Sequence, residues 1–66
     1  MRFVIYTADH EPPHVHVVGD GEARIDILDL KVITQGGMSD GDVRHAMDVV
    51  AANRQLFLDT WRQYHG

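Results

Sequence analysis

From His14 to Ile27 apolar and polar residues alternate, interrupted by a glycine-rich stretch. Side chains two apart on a strand share a face, so Val15 and Val17 point one way and His14 and His16 the other. The segment is predicted to be a hairpin, with strands over 14–18 and 22–27 around Gly19-Asp20-Gly21. Its register follows from sorting the residues. A two-residue Asp20-Gly21 turn sets Val17 opposite Arg24 and mixes core with solvent. A three-residue loop sets Val17 opposite Ala23, Val15 opposite Ile25, His16 opposite Arg24 and His14 opposite Asp26. Every apolar pair then falls on one face, so the three-residue loop is predicted.

Upstream, Phe3, Val4, Ile5 and Tyr6 are strand formers, and a first strand is predicted over 2–7. The connection over 8–13 is stiff, because each proline holds the residue before it out of the helical region. After Ile27 the alternation changes phase. Leu28, Leu30 and Val32 fall in step with the earlier even-numbered residues, which predicts a bulge or bend at Asp29. A short fourth strand is predicted near 31–34, then a loop at Gln35-Gly36-Gly37.

The next signal is a helix start. Ser39 fits the N-cap with Asp42 at the third helical position, and Met38 and Val43 stand where a hydrophobic staple needs them. Asp40 and Asp42 suit the positive end of the helix dipole. Val43, Met47, Val50, Phe57, Trp61 and Tyr64 then recur at spacings of three and four, with Arg54 interrupting the stripe. One helix over 40–64 would be about 37 Å long, too long for a small three-stranded sheet. A break over 52–54 is therefore predicted. The outcome is an α+β fold in one domain over 1–66. A small antiparallel sheet of three to four strands is followed by C-terminal helices, one kinked or two, packed on the valine face.

Sixty-six residues without cysteine leave a small core with no disulfide to support it. Such a chain is expected to draw stability from a homodimer, a protein partner or a metal. The lack of cysteine fits a reducing cytoplasm. No run approaches the roughly 20 apolar residues of a membrane span and no signal peptide is visible, so a cytoplasmic protein is expected. A net charge of −4 disfavours nonspecific nucleic-acid binding. Arg44, Arg54 and Arg62 are spread along the C-terminal part, as on a solvated helix face.

The candidate chemistry gathers at Asp9-His10-Glu11-Pro12-Pro13-His14-Val15-His16. His10, His14 and His16 are candidate ligands for zinc or another divalent metal, with Asp9, Glu11 and Asp26 as oxygen donors. The same face offers a general acid–base set: His14 and His16 as imidazoles, Asp26 to orient one of them, Arg24 to stabilise a phosphoryl charge. Against both stands the plain alternative that His14 and His16 are surface imidazoles paired across strands with Asp26 and Arg24, with no cofactor. Trp61 and Tyr64 at helical spacing are core residues or anchors for a partner. His45 and His65 are expected to be exposed.

Phe3 to Tyr6, the Pro12-Pro13-His14-Val15-His16-Val17 signature, Gly21 to Ile25, and Asn53-Arg54 through Trp61 and Tyr64 together resemble the prokaryotic DUF4160 family. The resemblance covers nearly the whole chain. Departures are Ile27, where a larger residue is common, and His65, where an aromatic is common. The family carries no established activity. Its members often stand beside a second small protein in toxin–antitoxin-like gene pairs, which implies a non-enzymatic binding or regulatory role through a protein partner. A small nuclease-like enzyme using His14, His16, Arg24 and Asp26 is the alternative.

Overall fold

A computed structural model describes residues 1–65. Its strands are β1 (Arg2–Val4), β2 (His14–Val18), β3 (Glu22–Asp26) and β4 (Lys31–Gly36), and its helices are α1 (Asp40–Ala52) and α2 (Arg54–His65). The strands form one antiparallel sheet in the order β1-β2-β3-β4. Short connections between sequence neighbours suffice for this arrangement. The fold is α+β, with the helices following the sheet.

The β2–β3 register is the one that the apolar–polar sorting requires. Val15 lies opposite Ile25, Val17 opposite Ala23, His16 opposite Arg24 and His14 opposite Asp26. Val15, Val17, Ala23 and Ile25 are buried and join Ile27, Met38, Ala46, Val50 and Leu58 in the core. The helices thus cover the valine face. Ala46, three residues after Val43, and Leu58, three residues before Trp61, join the core although neither belongs to the predicted stripe.

β1 is shorter than predicted. Pairing ends at Val4 opposite His16, and Ile5 to Thr7 run on outside the sheet. The next partners on β2 would be followed at once by Pro13, which has no N–H to offer a ladder. The Glu11–Pro12 bond is cis.

The phase change after Ile27 is a tight turn, which accounts for the bend predicted at Asp29. Asp26 Oδ1 accepts from the N–H groups of Leu28 and Asp29 at 2.8 and 2.7 Å. Leu30 N–H closes the turn onto Asp26 O, with Leu30 in the left-handed region at φ 52°. The bulge itself lies further on. Arg24 pairs with Thr34 but Ile25 pairs with Val32, so Ile33 is the extra residue on β4.

α1 starts as its sequence demands, with Ser39 Oγ accepting from Asp42 N–H at 3.1 Å. The break falls at Asn53. Its N–H donates to the carbonyls of Val49 and Val50, its Nδ2 donates to Val49 O, and its own carbonyl accepts from Phe57. One residue thereby closes α1 and opens α2.

Candidate functional site

The turn before β2 folds back over the polar face of the strand, and this brings three ligating groups together. Asp9, His14 and His16 each offer one atom, all within 4.8 Å of one another. His10 is exposed and outside this group, although the sequence made it the third candidate ligand. In a turn, adjacent side chains diverge, and here the inward position belongs to Asp9.

The hydrogen bonds fix the two imidazoles differently. His14 Nδ1 lies 2.7 Å from Pro12 O. A carbonyl only accepts, so His14 carries its proton on Nδ1. His16 Nε2 lies 2.8 Å from Asp9 Oδ2 and donates to that carboxylate. His14 Nε2 lies 3.1 Å from the same oxygen, yet off the line that a hydrogen bond requires, and has no hydrogen-bond partner. His14 is only 4% exposed, so this nitrogen is buried and unsatisfied.

Aromatic residues close the site. Tyr6 meets His16 edge-on at 4.6 Å, and Trp61 packs at 5.2 Å from His14. His65, expected to be exposed, instead stacks on Trp61 at 3.7 Å, with its Nδ1–H donated to Trp61 O one helical turn back. Two ring side chains four residues apart on one helix face, Trp61 and His65, are the signal that could have placed it. His45 is exposed as expected.

The remaining candidates separate. Asp26 stands opposite His14 in register, but its carboxylate accepts from the 27–30 turn, and no hydrogen bond to His14 is among its described contacts. It is therefore a turn residue and does not orient the imidazole. Arg24 donates to Thr34 Oγ1 at 3.0 Å. With His16, Glu22 and Thr34 it lines an open pocket of about 280 Å³ on the polar face. Trp61 is 1% exposed and offers no surface to a partner, whereas Tyr64 is half exposed. Tyr64 borders a second groove, of about 330 Å³, with Phe3, Val4, Ile5, Leu56 and Phe57. Phe3 stacks on Phe57 at 6.0 Å, and both line this groove.

An antiparallel sheet capped by a helix pair, with an acid–imidazole cluster at the β2 turn, defines the class: a small α+β domain with one built polar site. The chain belongs to the DUF4160 family, a domain of unknown function, which matches residues 1–62. No curated protein and no solved structure matches it. No helix among the described residues is long and apolar enough to cross a membrane.

Proposed function

We propose that the chain is a small non-enzymatic binding or regulatory protein of a toxin–antitoxin-like or mobile-element module, acting through a protein partner. The observation that carries this reading is the groove between β1 and α2. The groove lies between α2 and the helix-facing side of β1 and β2, with Val15 of β2 among its lining, and β1 beside it is the outer strand of the sheet, with one edge unpaired. An exposed strand edge is a template for an added strand. The occupant that fits is an extended apolar segment of a second small protein, with main-chain hydrogen bonds to β1 and side chains against Leu56 and Tyr64. A net charge of −4 favours a basic partner.

The test is co-expression with the product of the adjacent gene. A complex of fixed stoichiometry that Leu56→Glu disrupts is the expected result, since Leu56 is exposed and its loss leaves the core intact. A monomer that forms no complex, or a complex indifferent to Leu56→Glu and Tyr64→Ala, overturns the reading. Concentration-dependent sedimentation of the chain alone would make the occupant a second copy.

The nuclease-like alternative rests on a different observation. His16 is held by Asp9 and borders the pocket that Arg24 shares. His14 is buried and Asp26 holds a turn, so His16 and Arg24 are left to touch a substrate. Cleavage of RNA or DNA that His16→Ala abolishes would favour this alternative.

A further inference from the structure

We propose that Asp9, His14 and His16 form a mononuclear binding site for a divalent transition-metal ion. The site is independent of the partner groove, so each stands or falls alone.

The argument begins with the unsatisfied nitrogen. His14 donates through Nδ1 to Pro12 O, which leaves an electron pair on Nε2. That nitrogen is buried, with a carboxylate oxygen 3.1 Å away and to the side of its bonding axis. Two electron-rich atoms held so close repel one another, and a buried polar atom without a partner, here His14 Nε2, is costly. The oxygen lies off the Nε2 axis, so the two atoms share no hydrogen bond, and a cation held between them would draw on both. Ligands of one ion sit to the side of each other's bonding axes. Atoms bound at about 2.0–2.2 Å lie roughly 2.9 Å apart at right angles and roughly 3.4 Å apart in a tetrahedron. Asp9 Oδ2 lies 2.8 Å from His16 Nε2 and 3.1 Å from His14 Nε2, close to the spacing of adjacent ligands at right angles, and the three residues offer ligand atoms within 4.8 Å of one another.

The surroundings have the form that metal sites take. A metal-bound imidazole usually donates its other N–H to a carbonyl or carboxylate, which fixes its tautomer and ring plane. His14 does this with Pro12. His16 is a quarter exposed and joins the site by shifting to the Nδ1–H tautomer, which frees Nε2. Trp61 packs against the His14 ring and the partly exposed Tyr6 against the His16 ring. Two imidazoles and one carboxylate suit borderline ions such as zinc or iron(II), and three protein ligands leave positions open for water or a substrate group.

The experiment uses tag-free full-length chain titrated with Zn²⁺ and with Co²⁺, whose visible absorption reports ligand type and geometry. Calorimetry is expected to show one ion per chain. Long-range ¹H–¹⁵N spectra should show the Nε2 resonances of His14 and His16 moving together while those of His10 and His45 stay put. Asp9→Asn and His16→Ala, both partly exposed positions, should weaken binding by more than about 100-fold, beyond the about 10–100-fold typical of an outer-shell change. His10→Ala and His45→Ala should leave it unchanged. No binding by the folded wild type overturns the proposal. So does binding that survives Asp9→Asn and His16→Ala, or binding that His10→Ala removes.

Discussion

Arg54 donates from Nε to the carbonyl oxygen of Ile27 at 2.9 Å, and from Nη2 to that of Leu28 at 3.2 Å. The residue that interrupts the apolar stripe thus ties the start of α2 to the β3–β4 turn. Ile27 is fully buried, so its carbonyl has little access to replacement water. Arg54→Ala is expected to cost about 1–3 kcal/mol, the usual penalty for an acceptor left without its donor. Arg54→Lys should recover only part, because an ammonium lacks the planar fork that reaches two carbonyls. Urea unfolding of the three proteins checks this. Equal stability of wild type and Arg54→Ala would mean that α2 is held by its apolar contacts alone.

Trp61 closes the helix pair over the histidines. It is buried against His14 and His65, and its Nε1–H reaches Glu11 Oε1 at 3.3 Å. Trp61→Ala is expected to cost about 3–5 kcal/mol, as for other large buried aromatics. That approaches the whole stability of a small domain, about 5 kcal/mol or little more. Far-UV circular dichroism should find the variant largely unfolded at room temperature, and Trp61→Phe folded with a lowered midpoint. An unchanged midpoint in Trp61→Ala would contradict the packing.

Much of the fold was legible because two periodicities over-determine it. In the hairpin, a shift of one residue would place Val15 and Val17 in solvent, so one register survives. At α1, Ser39, Asp42 and Met38 all mark the same start, and the length argument located the break that Asn53 makes. The site was legible only in part. Alternation orients His14 and His16 on a strand, but it says nothing about a turn. Asp9 and His10 are neighbours of equal promise in sequence, and the folding of residues 8–13 decides between them. The role of Asp26 was hidden for a similar reason: register placed it across from His14, while its carboxylate answers to a turn two residues later.

Asp26 gives a test of that distinction. Its buried carboxylate accepts two N–H groups of the 27–30 turn. Asp26→Ala should cost about 1–3 kcal/mol, with water replacing part of what is lost at the exposed Leu28 and Asp29. Asp26→Asn keeps an acceptor oxygen and should cost much less. The His14 ring resonances should be the same in wild type and Asp26→Asn. A large shift at His14, with little change in stability, would restore Asp26 as the partner of the imidazole.

Gly19 and Gly21 flank Asp20 in the β2–β3 loop and look equivalent in the sequence, yet the structure separates them. A Cβ on Gly21 would lie 2.4 Å from Gly37 C, 2.5 Å from Gly36 O and 2.5 Å from Met38 N. All three are backbone atoms, so none can swing aside as a side-chain tip would. They also belong to the segment that leads into α1, where Met38 is buried and Ser39 caps the helix. Gly21→Ala must push this segment off the hairpin and disturb both, at an expected cost of about 2–3 kcal/mol or more. A Cβ on Gly19 meets nothing within 4 Å, and Gly19→Ala should stay within about 0.5 kcal/mol of wild type. Thermal unfolding of the pair decides the matter. If Gly21→Ala melts with the wild type, or Gly19→Ala falls as far as Gly21→Ala, the close approach of the loop to the α1 lead-in is not what holds this corner together.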